Sequence, residues 1–274
     1  MRITKVGDIH EVSFEYSGGQ NYEQWILLMS DEHFDSIDCD RALLKKHHEQ
    51  AKDRGAPIFK FGDCLDVMGC KHDPRSDMSM IRPEYKDKPG YLSLVLEDAI
   101  KFYKDYPVAF ISDGNHEENI LKRHEIDMTG AMAKEIGAAR GHYSGFLRFK
   151  FKAESGGGTR TFDMYYDHGS GGNSPVTKGV ISTNRRGAAY DADILVSGHN
   201  HNRWMMEMMR EGVTQSGEIK ARPQLHLNMG TYNRKPAKRS RFESGFPSPN
   251  LGGIWLRFGI DGKQAEMSVK AIYA

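Results

Sequence analysis

Cysteine, net charge and long apolar runs are all scarce in this chain of 274 residues. The cysteines are Cys39, Cys64 and Cys70, an odd and sparse set that argues against a disulfide framework. Cys64 and Cys70 are too far apart for a CxxC pair, and no second cluster exists to complete a thiolate zinc site. They read as small thiols in a reducing compartment, which makes the cytoplasm the expected location. A formal net charge of +1 provides no global field toward nucleic acid or an anionic membrane, so only a local patch would argue for either. No stretch approaches the length needed to span a bilayer. Met1 to His10 is charged and lacks the apolar run of a signal peptide, so no membrane partner is expected.

What is present is ordinary in bulk and specific in detail. Hydrophobic residues make up 38% and charged residues 27%, as in a folded soluble protein. No internal repeat or linker divides the chain, and its length suffices for one α/β domain over residues 1–274. Short continuous apolar runs at Trp25 to Met29, Ile58 to Phe61, Val108 to Ser112 and Asp193 to Val196 predict buried strands. Glu11 to Tyr16, Phe146 to Phe151 and Thr161 to Tyr166 alternate like strands. Trp204 to Met209, Gln224 to Leu227, Ile254 to Phe258 and Ala265 to Ile272 complete a strand-rich second half. Helical spacing predicts helices from about Asp40 to Asp53 and from Tyr91 to Tyr106, with helical segments near Glu117 to Ile136. Two packed sheets flanked by helices follow from this order.

The informative pattern is where Asp, Asn and His fall. Asp31 and His33 follow the first buried strand, Asp63 and Asp66 the second, and Asn115 and His116 the third. His168 follows the strand ending at Tyr166, and His199 and His201 follow the one ending at Val196. Ligands of α/β folds bind outside the carboxyl ends of strands, so five strand ends deliver metal-ligating groups to one edge. Imidazole mixed with carboxylate suits manganese, iron, zinc, nickel or cobalt better than calcium or magnesium. The groups are too many for one ion and adequate for two, about 3.5–4 Å apart with a carboxylate between them. Such a pair lowers the pKa of a bridging water and clamps the oxygens of a phosphate.

In order, DxH, GDxxD, GNHE, a lone His and GHxH resemble the signature of the calcineurin-like metallophosphoesterases, over Asp31 to His201. The resemblance implies a four-layer α-β-β-α sandwich of two mixed sheets flanked by helices. It implies two divalent metal ions, manganese first. One would be held by Asp31, His33, Asp63 and His201, and the other by Asp63, Asn115, His168 and His199. It further implies that His116 protonates the leaving oxygen or stabilises the transition state, and that Asp66 hydrogen-bonds His116 and sets its tautomer. Val67 stands where the serine/threonine protein phosphatases carry a phosphate-binding arginine.

Two further segments carry expectations. The polar loop from Val67 to Gly90 follows Asp63 and Asp66 directly and reads as a lid or insertion, with Arg75 and Arg82 as substrate-binding residues that clamp a phosphate. The basic stretch from Tyr232 to Phe246, with Arg234, Lys235, Lys238, Arg239 and Arg241, suits single-stranded nucleic acid. His10, His47, His48, His124 and His142 read as structural or surface residues. The leading expectation is a metal-dependent phosphodiesterase or nuclease, in which a metal-bridging hydroxide attacks in line. A phosphomonoesterase for a phosphoprotein or small molecule is the alternative, and a non-catalytic metal-binding scaffold is the third reading.

Overall fold

The apolar runs do form the buried centre of the molecule. A computed structural model describes residues 1–274 except 18–20, 71–72, 155, 157, 172–179, 235–247 and 263–265. In chain order the elements begin with β1 (Arg2–Val6), β2 (Ile9–Tyr16), β3 (Glu23–Met29), α1 (Arg41–Asp53), β4 (Ile58–Phe61), α2 (Tyr91–Tyr103) and β5 (Val108–Ser112). Next come α3 (Asn115–His124), α4 (Met128–Ile136), β6 (Ala139–Arg140), β7 (Ser144–Ala153), β8 (Thr159–Asp167), α5 (Val180–Ala189) and β9 (Ile194–Ser197). The last are β10 (Trp204–Val213), β11 (Ile219–Asn228), β12 (Ile254–Gly259) and β13 (Ser268–Tyr273).

The strands form two mixed sheets. One has seven strands in the order β1-β2-β7-β8-β9-β11-β10, and the other six in the order β13-β12-β3-β4-β5-β6. Strands β3, β4 and β5 are parallel neighbours, and so are β8 and β9, so each set ends on a common edge. Alternation then sorts the side chains. Ile26, Leu28, Phe59 and Phe61 meet Phe149 and Phe151 between the sheets. Leu27, Met29 and Ile58 face the other way, onto Leu44 of α1, Val95 and Tyr103 of α2 and Met132 of α4. The expected sandwich of two mixed sheets flanked by helices is therefore the observed one. Its two outer layers are unequal. Helix α5 covers the seven-stranded sheet near Gln224 and His226, where Gly187 meets both side chains. Toward β2 and β7 that sheet carries a polar outer face, on which Lys150 pairs with Glu11 and Arg148 with Asp163.

Several elements differ from the sequence expectation for physical reasons. Strand β1 (RITKV) and helix α5 (VISTNRRGAA) are too polar to show a clear apolar period. The hairpin β10–β11 runs further out than its apolar residues suggest, because its distal half is solvent-exposed. The helical segments expected near Glu117 to Ile136 are, by contrast, present as α3 and α4, separated where Glu125 takes a left-handed φ of 56° and Asp127 caps α4, its side chain accepting from Gly130 N at 2.8 Å. The loop expected as a lid is partly packed down: Cys70, Ile81 and Tyr85 are buried, Ile81 bridges Ser36, and Arg41 donates to Tyr85 Oη at 2.6 Å.

Candidate metal centre

The turns that follow β3 and β4 are tied together before any side chain is considered. Asp31 N donates to Gly62 O at 3.1 Å and His33 N to Asp63 O at 3.0 Å. His199 N donates to the Asp31 carboxylate at 3.0–3.1 Å, joining the six-stranded sheet's edge to that of the seven-stranded one. Among the described residues nine non-glycine residues have positive φ, and five of them are Asp31 (52°), His33 (46°), Asp63 (49°), His199 (70°) and His201 (58°). Left-handed backbone at non-glycine residues costs about 1–3 kcal/mol each and persists only where the surroundings over-determine it. Its concentration at the predicted ligands marks these turns as built for something other than chain reversal.

The expected ligands gather into two groups, beside a third formed by His33, Asp66 and His116. Asp31, His33 and His201 form one, with His201 Nε2 3.3 Å from Asp31 Oδ1 and 3.2 Å from His33 Nε2. Asp63, His168 and His199 form the other, with His168 Nε2 3.0 Å from Asp63 Oδ2. Asn115 closes the second group: its Oδ1 lies 2.7 Å from His199 Nδ1 and 3.2 Å from His168 Nε2. The floor, made by Asp31, His33, Asp63 and His168, is buried, while Asn115, His116, His199 and His201 form a half-exposed rim. Burial acts to raise the Asp31 and Asp63 carboxyls. The imidazoles outweigh it, His201 chiefly at Asp31 and His168 chiefly at Asp63, and hold both below the usual range.

The imidazole tautomers are set from behind, as a metal site requires. His168 Nδ1 donates to Phe61 O at 2.9 Å and His33 Nδ1 to Asp66 Oδ1 at 2.9 Å, which leaves Nε2 of each turned into its group. The Asn115 amide provides a test of whether the groups fit cations. Turned end for end, its nitrogen would donate to Asp63 Oδ2 and to both imidazoles, and its oxygen would accept from Arg75 Nη1 at 3.0 Å. As it stands, the oxygen faces acceptor atoms and the nitrogen faces a guanidinium. A cation among those acceptors would favour the standing orientation. The donor set, histidine and carboxylate with one amide oxygen and no thiolate, suits divalent ions of intermediate hardness.

No protein-family model matches the chain, and no curated protein matches it. Solved structures similar to it do exist. One is a conserved uncharacterized protein, a predicted phosphoesterase, from Streptococcus pneumoniae, at 15% identity over 92% of this chain and 99% of that one, with a TM-score of 0.32. Another is a metallophosphoesterase from Sphaerobacter thermophilus, at 13% identity over 92% of this chain and 88% of that one, with a TM-score of 0.37. A third is Vps29 from Chaetomium thermophilum, at 10% identity over 92% of this chain and 95% of that one, with a TM-score of 0.33.

The remaining expected site residues fall as follows. His116 Nε2 lies 3.9 Å from Asp63 Oδ2, at the rim. Its Nδ1 donates to the backbone carbonyl of Asp66 at 2.5 Å, whereas the Asp66 carboxylate is 3.7 Å away and is committed to His33. The expected carboxylate contact to His116 is thus replaced by a main-chain one, because the 63–66 turn brings that carbonyl closer. Arg75 reaches the rim and is gripped by Asp73, with Nη2 to Oδ2 at 2.9 Å and Nε to Oδ1 at 3.2 Å; Asn119 also donates to Asp73. Arg82 lies elsewhere, bonded to Glu84 at 2.6 Å and to Ser36 O at 3.4 Å. Tyr232 is fully buried and bonded to His47 Nδ1 at 2.8 Å, so its ring is not free to stack on a base, and Arg234 is paired with Asp40. Residues 235–246 of the basic stretch lie outside the described residues.

Two residues of the site had no role in the sequence reading. The buried Glu117 carboxylate accepts from Asp63 N (3.2 Å), Leu65 N (2.9 Å) and Gly114 N (3.1 Å), binding the Asp63 turn to the start of α3. Asp35 does the same for the next turn, accepting from Asp66 N at 2.6 Å, Val67 N at 2.9 Å and Tyr91 Oη at 2.7 Å. The signal was there: an acid directly after Asn115-His116, and another two residues beyond His33.

Proposed function

We propose that this chain is a metal-dependent hydrolase of phosphate esters, and a phosphodiesterase acting on nucleic acid or nucleotides. The observation that carries the reading is the convergence of Asp31, His33 and His201 beside Asp63, Asn115, His168 and His199, with the Asn115 oxygen turned toward acceptor atoms. Asp31, His33, Asp63 and His201 would hold one divalent ion, and Asp63, Asn115, His168 and His199 the other. When bound, such a pair supplies Lewis acidity and a water acidic enough to act as a nucleophile near neutral pH.

The chain's own residues supply the rest. Arg75 Nη1 and the Asn115 amide nitrogen lie 3.0 Å apart, so that both can donate to one non-bridging phosphoryl oxygen beside them. Asp73 holds the guanidinium in place for that contact. Arg75 thus stands in for the arginine that Val67 does not provide. His116, its Nδ1 proton fixed on the Asp66 carbonyl, protonates the leaving alkoxide from Nε2. The phosphodiester preference rests on charge. Arg75 brings one guanidinium to the Asn115 side of the rim, and a diester monoanion needs less cationic compensation than a monoester dianion. We further place the protein in a reducing cytoplasm, which suits three free buried cysteines. Among the described residues no helix is long and apolar enough to cross a membrane.

The test is turnover of bis-p-nitrophenyl phosphate, p-nitrophenyl phosphate, single-stranded DNA and RNA by the Mn²⁺-loaded protein. Diester cleavage that chelation abolishes is the expected result. Turnover of the monoester alone moves the assignment to a phosphatase. Inertness toward all four, with two Mn²⁺ bound, leaves a metal-binding scaffold.

A further inference from the structure

The turn carrying Asp31 and His33 is anchored by a polar group that takes no part in the chemistry above. Glu32, between the two ligands, makes its contacts in the layer between the six-stranded sheet and the helices. Lys60 Nζ pairs with Glu32 Oε1 and donates to His48 Nε2 at 2.9 Å, while Tyr103 Oη donates to Glu32 Oε2 at 2.6 Å. The ammonium also lies 4.1 Å over the Tyr103 ring. Glu32, Lys60, His48 and Tyr103 are all 0% exposed. His48 Nδ1 donates to Leu44 O at 2.8 Å, and burial together with Lys60 keeps this imidazole neutral, so its Nε2 lone pair is free to accept the lysine proton. One anion, one cation and their partners thus come from the turn after β3, from β4, from α1 and from α2.

Such a group is hard to explain as a source of stability. A fully buried ion pair is commonly no better for the fold than well-packed apolar residues of the same volume. Its place in the chain is informative instead. Lys60 stands three residues before Asp63, and Glu32 stands between Asp31 and His33. The same two segments are joined on the ligand side by Asp31 N to Gly62 O and His33 N to Asp63 O. The ion pair is therefore a second cross-link between the two turns, on the side away from the ligands. Both turns hold left-handed residues that only firm surroundings maintain.

We propose that the Glu32–Lys60 ion pair, with Tyr103 and His48 as its hydrogen-bond partners, is a positioning device that holds the Asp31–His33 turn against the Asp63 turn at the spacing two cations require. This rests on the two-cation reading above. Glu32 and Lys60 touch neither substrate nor ion; they act through the ligands.

The experiment compares the full chain with the double variant Glu32→Leu/Lys60→Met and with Tyr103→Phe. Each is measured metal-free for Tm and then titrated with Mn²⁺ by calorimetry. A purely structural pair would move Tm and affinity together. The positioning role predicts a metal-free Tm near that of the wild type, with Mn²⁺ affinity about 10–100-fold weaker, the usual cost of removing outer support from a metal ligand. Tyr103→Phe, which deletes one hydrogen bond to Glu32 and little else, should show the same split in smaller measure and decides the matter if the double variant does not fold. Wild-type Mn²⁺ affinity in the folded variants overturns the proposal while leaving the two-cation reading intact. A wild-type protein that binds no Mn²⁺ removes both.

Discussion

His33 gives its Nδ1 proton to the Asp66 carboxylate at 2.9 Å, while the carbonyl of the same aspartate receives the Nδ1 proton of His116 at 2.5 Å. One residue therefore orients a metal-ligating imidazole with its side chain and a proton-donating imidazole with its backbone. The two functions separate on mutation. Asp66→Ala removes the carboxylate and keeps the carbonyl, so Mn²⁺ affinity should fall about 10–100-fold. Turnover at saturating Mn²⁺ should fall much less. Calorimetry beside kcat measured at high metal concentration checks this, and an unchanged affinity would show that His33 needs no such support.

His116→Ala carries the opposite expectation. Its imidazole lies at the rim, 3.9 Å from Asp63 Oδ2, and no ligand group requires it. Metal analysis should still find two ions per chain, while kcat falls about 10²–10⁴-fold, the range for losing a positioned general acid. A variant that loses its metal would place His116 among the ligands instead.

Gly198→Ala tests the closeness of the two sheet edges. A Cβ at 198 would collide with Ser30 Oγ and stand 2.7 Å from Asp31 Oδ2. Both are held in place: Ser30 Oγ donates to Phe61 O at 2.8 Å, and the Asp31 carboxylate accepts from His199 N at 3.0–3.1 Å. The added methyl should push Asp31 out of position and cost roughly 1–3 kcal/mol of stability, the usual range for overpacking a tight site. Thermal unfolding and Mn²⁺ titration should both show the loss. Gly114, whose Cβ would collide with Asp63, should behave alike.

The response to pH should differ between metal-free and metal-loaded protein. Burial acts to lower the His168 imidazole, but the Asp63 charge and hydrogen bond outweigh it and raise it to about 10; His33 is raised to about 9, with burial again opposing and Asp66 prevailing. A histidine raised in the folded state stabilises fully below its unfolded value, about 6.5, and that contribution is lost as pH rises through the folded value. Metal-free Tm should therefore decline between about pH 7 and 10. Mn²⁺ must displace those protons, so its affinity should rise with pH over the lower part of that window. A metal-free Tm that climbs with pH would contradict these assignments.

Much of this was legible because chemistry and burial coincide in the chain. Ile58 to Phe61 reads as a doubly buried strand and is one, and Asp63 follows it where a turn must come. Asp31, His33, Asn115, His168, His199 and His201 stand at strand ends for the same reason, and the structure gathers them there. The supports were less legible. Glu117 and Asp35 bind backbone N–H groups of other turns, and their partners depend on a tertiary approach that no spacing encodes. Lys60 is harder still: the run Ile58 to Phe61 reads as buried, but nothing in it names Glu32 and His48 as the partners of its fully buried lysine. Arg75 and Arg82 look equivalent along the chain, and only the fold sends one to the rim and the other to Glu84.

The left-handed backbone at Asp31, His33, Asp63, His199 and His201 narrows what each position accepts. Aspartate, asparagine and histidine are the side chains that both tolerate this conformation and coordinate a divalent ion. Glutamate offers the same carboxylate without that tolerance. Exchanging Asp31 or Asp63 for glutamate thus alters the main chain as well as the reach of the ligand, and a substitution conservative in charge becomes a drastic one in shape.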